Sequence, residues 1–424
     1  MKLERSKGTR DFLPEEQIVR NEIVDALKNV FEAYGFSPLE TPSIERFDVL
    51  SSKYTGGAEI LKETFNFKDQ GNREIGLRYD LTVSFARVIG MNPSLKMPFK
   101  RYETGNVWRD GPVGAARYRQ FLQCDVDIVG CSSMLADAEI IALTDKAFKK
   151  LGFDIVIRVN NRKALNDILA YLKIKKEKCE DIILSIDKLE KFGADAVKKE
   201  LKEKKINKKT IDELLKIITV KGDNGKKISE LKKIIKGSEG IKETEELLGY
   251  LEIMDIDIEL DVSLARGLSY YSGPVFEVIL KNSKFKSSVA GGGRYDRMIG
   301  ALLGKGSYPA TGISFGLDRI YDAYAEKKRE AKKTVTNVYI IPIGMLKEAL
   351  KIAQTLRDSN IKVDIDLMQR GVSKNLNYAN SMGIPYVIFV GEDEVKQNKV
   401  KVRDMVSGKE KLVSVEEAIS SLKS

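Results

Sequence analysis

Residues 99–110 read Phe-Lys-Arg-Tyr-Glu-Thr-Gly-Asn-Val-Trp-Arg-Asp, residues 111–116 Gly-Pro-Val-Gly-Ala-Ala, and residues 117–127 Arg-Tyr-Arg-Gln-Phe-Leu-Gln-Cys-Asp-Val-Asp. A β-rich run ending at Arg109, a loop of small residues and a second β-rich run form the pattern of an antiparallel hairpin. Side chains alternate between the faces of a strand, so positions 117, 119, 121, 123, 125 and 127 share one side. That side carries cations (Arg117, Arg119), an aromatic plane (Phe121), an amide (Gln123) and carboxylates (Asp125, Asp127). One reading is a solvent-facing sheet. The other is a surface for a nucleotide together with an amino acid, which this mixture of groups suits better.

Around the hairpin the periodicity predicts an antiparallel sheet with helices. Apolar residues at helical spacing over 14–34 end at Gly35, and extended segments follow at 36–45, 64–67 and 75–78. A helix is predicted over 137–151 and a strand over 153–159. Residues 161–253 then become lysine-rich and almost wholly helical, with turn signals at Gly193 and at 222–225, which marks an inserted domain. Strand patterns resume at 256 and continue through 277, 287–293 and 311–315, before a helix from Leu317. After a Lys- and Glu-rich linker at 326–333, strand and helix alternate, as in a small α/β unit with a parallel sheet.

Composition excludes several kinds of chemistry. The 424 residues are 42% hydrophobic, and the apolar runs are too short to span a bilayer. The first residues lack the apolar core of a signal peptide, so a soluble, cytoplasmic protein is expected. Three cysteines without a Cys-x-x-Cys pair support neither a disulfide framework nor a thiolate zinc site. The net charge of +10 suits a polyanionic partner, although lysine runs such as 198–209 equally suit a solvated helix face. The chain has no histidine. Any ionisation of activity between pH 5 and 8 is therefore expected from a substrate, with an Asp or Glu raised by burial as the other source.

Residues 264–277, Leu-Ala-Arg-Gly-Leu-Ser-Tyr-Tyr-Ser-Gly-Pro-Val-Phe-Glu, place Arg266, Tyr270 and Tyr271 in a turn punctuated by Gly267 and Gly273 before an apolar strand. Arg266 offers a planar fork of donors for phosphate or carboxylate. Residues 290–296, Ala-Gly-Gly-Gly-Arg-Tyr-Asp, would admit a ligand against bare backbone, and residues 312–319 end in Arg319 at a helix start. Residues 77–82, Leu-Arg-Tyr-Asp-Leu-Thr, offer Asp80 and Thr82, which are also ordinary helix-capping types. The Gly-rich stretch 300–306 does not have P-loop spacing.

In this order the motifs resemble those of histidyl-tRNA synthetases, within the class II aminoacyl-tRNA synthetases. The resemblance implies an α+β fold: an antiparallel-sheet catalytic core (1–160 and 254–325), a helical insertion (161–253) that contacts the acceptor stem, and a C-terminal α/β anticodon-binding domain (334–424). It implies histidine-tRNA ligase activity with ATP and Mg²⁺, L-histidine and tRNA(His) as partners, and a homodimer. Arg109, Arg266 and Arg319 would be catalytic. Arg109, Arg117, Phe121 and Arg319 would bind ATP, with Phe121 on the adenine. Asp80, Leu81, Thr82, Arg109, Gln123, Asp127, Arg266, Tyr270 and Tyr271 would bind histidine. Two departures from the family pattern are Ser269, where an Asp is usual, and the small, nearly neutral loop 110–116. The alternative is a non-catalytic, histidyl-synthetase-like regulatory subunit of ATP phosphoribosyltransferase. Such subunits typically lack the anticodon domain and key arginines, and this chain keeps both.

Overall fold

The computed structural model describes residues 2–52, 61–114, 117–266, 270–283, 287–304, 306–326 and 332–423. Gly267, Ser269, the centre of the hairpin loop (115–116), Lys305 and most of the expected linker lie outside them. The chain divides into two compact units, one of residues 1–10 and 23–328, the other of 11–22 and 329–424.

The strands, in chain order, are β1 (Ser37–Pro38), β2 (Ile44–Arg46), β3 (Asn66–Lys68), β4 (Glu74–Leu77), β5 (Phe99–Trp108), β6 (Gln120–Val129), β7 (Ile155–Asn161), β8 (Glu259–Leu260), β9 (Pro274–Leu280), β10 (Ala290–Arg294), β11 (Ala310–Gly316), β12 (Val338–Pro342), β13 (Val363–Ile365), β14 (Tyr386–Val390), β15 (Val400–Asp404) and β16 (Glu410–Val413). In the first unit eight strands form one sheet in the order β1-β5-β6-β11-β10-β9-β7-β8. Its six central strands pair antiparallel, and only the short edge strands β1 and β8 pair parallel.

One face of this sheet is apolar and covered by helices. Phe315 of β11 packs against Phe31 of helix Pro14–Ala33 and Phe148 of helix Met134–Lys150, at ring centroid distances of 5.5 and 5.8 Å. The second helix starts three residues earlier than its periodicity suggests because the Ser133 hydroxyl accepts from Leu135 N and caps it. On this covered face Arg294 is buried. It donates to Asp137 and to the carbonyls of Cys131 and Ser133, while Thr311 Oγ1 donates to Asp137 Oδ1 at 2.8 Å. Arg294 thus locks the helix start to the sheet.

The other face is polar, and pairing aligns it in rows. Arg101, Asp127, Gly312 and Gly293 are successive cross-strand partners, as are Glu103, Asp125, Ser314, Gly291 and Glu277.

Residues 162–253 are helical as expected, with Asn161, Asn207, Asp223 and Ser238 accepting from backbone N–H groups at four helix starts. Their apolar sides enclose a core that includes Ile168, Ile182, Leu201 and Leu214. Leu260, Val262 and Ala265 belong to the same core.

In the second unit the sheet order is β13-β12-β14-β15-β16. The first three strands are parallel, as the alternation predicts, but β15 and β16 add an antiparallel pair that makes the sheet mixed.

Candidate active site

The polar sheet face opens into a cleft of about 510 Å³ and, deeper, a cavity of about 40 Å³. Arg109, at the end of β5, is fixed in the cleft by stacking. Its guanidinium lies 4.2 Å from the Tyr79 ring centre and 4.9 Å from that of Phe121, with Nε donating to Tyr79 O at 3.4 Å.

Arg266 arrives from the far side of the sheet's centre. Leu260, Val262 and Ala265 anchor its segment in the helical core, and Asn160 Nδ2 donates to Val262 O and Leu264 O at 3.0 and 2.8 Å. Its guanidinium lies over Gly291, where any Cβ would overlap it, and Nη1 is 3.5 Å from Glu277 Oε1. Arg319, two residues into helix Leu317–Glu326, donates from Nη1 to Ser288 O at 2.6 Å.

Arg109, Arg117, Arg266 and Arg319 all line the cleft. Burial lowers the Arg319 pKa, and the charges of Arg109, Arg266 and Arg117 lower it further, against the opposing pull of Glu277. Guanidinium groups gathered this closely call for a multiply charged anion. Arg117 pairs with Glu63 at 3.4 Å near the cleft entrance, and Lys191 of the helical insertion lines the same cleft.

The deeper cavity is lined by Thr82, Asp125, Asp127, Tyr270, Tyr271, Tyr295, the glycines of β10 and residues 312–314. Asp127 is held on both oxygens: Tyr295 OH donates to Oδ1 at 2.5 Å, and Arg101 Nη2 is 2.9 Å from Oδ2. Arg101 is fully buried under Phe85, its guanidinium 4.3 Å from that ring centre. Gly312 leaves room for the Asp127 carboxylate, which a Cβ there would strike. Tyr270 lies against Tyr271 in a tilted contact at 4.6 Å and meets Tyr295 edge-on at 6.2 Å. Gln123 Nε2 donates to Ser314 Oγ.

Asp80 Oδ1 accepts from Thr82 N and Val83 N at 3.1 and 3.0 Å, so it caps helix Thr82–Met91, and its charge also reaches Asp125 and Tyr270. The helix-capping reading of Asp80 is therefore realised. Leu81 is fully buried and lines neither cavity, although its carbonyl faces Arg101 Nη2 at 3.5 Å.

Arg109, Arg117, Phe121, Gln123, Arg266 and Arg319 thus meet in the cleft, and Thr82, Asp127, Tyr270 and Tyr271 in the inner cavity. The glycines at 291–293 line the inner cavity and also make room for protein groups, with Gly291 receiving Arg266 and Gly292 packed against the β11 backbone. Position 119 departs from expectation and leaves the shared face, because β6 begins at Gln120 and Arg119 pairs with Asp110 at 3.0 Å. Arg101, Tyr295, Glu277, Ser314 and Lys191 complete the site without having been singled out. Tyr295 lay inside a quoted motif and Arg101 inside the quoted hairpin, but only strand register brings them to Asp127.

Known proteins resemble this chain over nearly its whole length. Residues 8–320 match the histidyl-tRNA synthetase family model, and residues 337–424 match that of an anticodon binding domain. Histidine--tRNA ligase 1 of Bacillus cereus is 45% identical over 98% of this chain and 98% of its own. The crystal structure of histidyl-tRNA synthetase from Nostoc sp. superposes with a TM-score of 0.89 at 29% identity, covering 100% of this chain and 99% of that one. A Bacillus halodurans structure described as an ATP phosphoribosyltransferase regulatory subunit/histidyl-tRNA synthetase has a TM-score of 0.77 at 21% identity, over 92% of this chain and 98% of that one, a likeness of fold alone. With family-model matches over both the sheet-and-helix unit and the terminal unit, the chain belongs to the histidyl-tRNA synthetase family.

Proposed function

We propose that the chain is a histidine-tRNA ligase that activates L-histidine with ATP and transfers the histidyl group to the 3′ end of tRNA(His). The observation that carries this reading is the convergence of Arg109, Arg117, Arg266 and Arg319 at the entrance to a small cavity floored by Asp127 and tyrosines. An anionic triphosphate suits the first and an imidazole the second.

In the first step a histidine carboxylate oxygen attacks the α-phosphorus in line, the new P–O bond forms, and the bond to pyrophosphate breaks. Arg109 and Arg266 approach from opposite sides and stabilise the charge on the α-phosphoryl oxygens. Arg319 takes the outer phosphates, Arg117 supports it, and Phe121 stacks on adenine. Such positioned donors, needing no rearrangement during reaction, commonly provide the largest share of catalysis. In the second step the 3′-terminal adenosine hydroxyl attacks the activated carbonyl and AMP leaves.

Asp127 accepts from an imidazole N–H, with Tyr270 and Tyr271 around the ring. Gln123, Thr82 and Asp80 take the α-ammonium group, and the Leu81 backbone fixes the spacing between the last two. Mg²⁺ prefers oxygen ligands and keeps to phosphates plus one or two carboxylates. Glu63 and Asp318 are the carboxylates among the cleft's lining residues, each already engaged by protein groups, and would be the ones to approach it, while the ion would offset charge on the outer phosphates.

Residues 1–160 and 254–325 form the catalytic core in this proposal, 161–253 contact the acceptor stem, and 334–424 read the anticodon. Lys191 at the cleft supports a route from the insertion to the tRNA end. A homodimer in the cytoplasm completes the reading. No helix among the described residues is long and apolar enough to cross a membrane. The regulatory-subunit alternative is disfavoured because Arg109, Arg266 and Arg319 are all retained in the cleft.

Pyrophosphate exchange with each amino acid in turn tests the proposal. Exchange supported by histidine alone is expected, and exchange with a different amino acid or with none would overturn it.

A further inference from the structure

The inner cavity contains one carboxylate that the reading above leaves unused. Asp125 is 3% exposed, lines that cavity, and its Oδ1 is buried with no hydrogen-bond partner. Gln123 Oε1, two residues earlier on the same face, is also buried and unpartnered. Buried polar atoms are nearly always paired, so an unsatisfied acceptor on the small cavity, with a second beside the adjoining cleft, points to donors that arrive from outside.

The surroundings define that donor. Across the row, Glu103 is committed to Thr41 and Arg78, with Oε1 accepting at 2.7 Å from Thr41 Oγ1 and at 2.9 Å from Arg78 Nη1. On the other side the Ser314 hydroxyl, which accepts from Gln123, is turned to donate to Asp125. Arg101 is the nearby cation, but its guanidinium is directed to Asp127 and Glu103. Asp127 on the same strand and Asp80 before its helix add negative charge. The tyrosines at 270, 271 and 295 complete the wall. A compact cation with several N–H donors, small enough for the cavity, matches this lining.

We propose that Asp125 is a further substrate-binding carboxylate, whose Oδ1 accepts a hydrogen bond from the α-ammonium of histidine and which releases its own proton to solvent as the amino acid binds. The inference rests on the histidine-ligase reading of the site. In the binding step the Asp125 O–H bond breaks, the proton leaves to solvent, and the ammonium keeps all three of its protons while donating one to the carboxylate. Burial, with the charges of Asp127 and Asp80, pushes the Asp125 carboxyl up to about 7, while Arg101 and Ser314 hold it back. Before substrate arrives, the carboxyl is therefore partly protonated at neutral pH. An ammonium brought against it favours the charged form.

The test is calorimetric titration of the full-length protein with histidine in buffers of different ionisation enthalpy, alongside pyrophosphate exchange. A ring-fluorinated histidine that does not titrate in this range removes the substrate imidazole from the proton count. With that analogue the wild type is expected to release a fraction of a proton per site near neutrality, rising as pH falls and fading as pH rises. Asp125→Asn keeps the shape and the acceptor for Ser314. It is expected to abolish the release and raise the histidine KM about ten- to hundredfold, with the ATP KM unchanged. Proton release that does not vary with pH in the wild type, or a variant with unaltered histidine KM and release, would overturn the proposal. Should Asp125→Asn not fold, the wild-type titration alone decides. If the wild type shows no histidine-dependent exchange, it is the ligase reading that fails, a result distinct from either of these.

Discussion

Tyr295 donates its phenolic hydrogen to Asp127 Oδ1 across 2.5 Å, from a different strand end and 168 positions further along the chain. Burial and the Asp127 charge push the Tyr295 pKa well above its ordinary value, so it stays a donor throughout the physiological range. The carboxylate is held in place before any substrate reaches it.

Tyr295→Phe should therefore loosen recognition of the amino acid without touching the nucleotide. Removing one hydrogen bond to a charged acceptor predicts a rise of about tenfold in histidine KM, read by pyrophosphate exchange, with ATP KM constant. A change in thermal stability with no change in KM would confine the hydroxyl to folding.

Asp127→Ala has two expected effects. Histidine binding weakens far more than ATP binding, because the imidazole loses a charged acceptor. Stability falls as well, since Arg101 is left buried beside an empty position, a loss of about 3–5 kcal/mol when one member of a buried pair is removed. Denaturant unfolding measures the second, and an unchanged midpoint would show that Glu103 alone satisfies Arg101.

Arg266 has a side chain that is 24% exposed, pairs with Glu277 and also feels the charge of Asp187. Arg266→Ala is expected to fold but to lose about 10²–10³ in the rate of adenylate formation, as when one oxyanion donor is deleted. Single-turnover rates near those of the wild type would remove it from the mechanism.

Stability should also depend on pH through Asp125. The Asp125 carboxyl is raised on folding, so its contribution is fully present below the unfolded pKa of about 4 and is lost as pH rises through about 7. Asp125→Asn should accordingly be more resistant to heat than the wild type at pH 8, the advantage shrinking towards pH 5. An advantage that grows on acidification would reverse the assigned sign.

Removing residues 334–424 tests the division of labour between units. Pyrophosphate exchange should persist, whereas aminoacylation should weaken and lose salt dependence as phosphate contacts disappear. Residues 11–22 cluster with the deleted unit, so this segment should become newly sensitive to proteolysis. Loss of exchange would show that the terminal unit braces the catalytic one.

Much of the fold was legible because its signals are local. β5 and β6 have the bounds that uninterrupted alternation and flanking turn residues imply, and the helices of 162–253 follow their apolar spacing. The start of helix Met134–Lys150 was marked by Ser133, a cap easily read as loop. β15 and β16 were missed because they are short, lysine-bearing and largely uncovered. In the site, residues carried by recognisable motifs were legible, whereas Arg101, Glu277 and Ser314 take their roles from cross-strand register, which no local pattern encodes. The glycines were noticed for the right property, absence of a Cβ, but Arg266 uses that space at Gly291 and Asp127 uses it at Gly312. The histidine-free composition left the substrate, or an Asp or Glu raised by burial, as the source of ionisation between pH 5 and 8, and Asp125 is a carboxyl that burial raises in this way.

The gathering of Arg109, Arg117, Arg266 and Arg319 has a consequence for the resting enzyme. An open cleft with this much like charge behaves as a small anion exchanger, and dissolved phosphate, sulfate or released pyrophosphate will compete for it in proportion to their charge. ATP affinity measured in phosphate buffer will therefore look weaker than in a buffer of monovalent anions, and accumulated pyrophosphate will slow turnover by lingering where it was made.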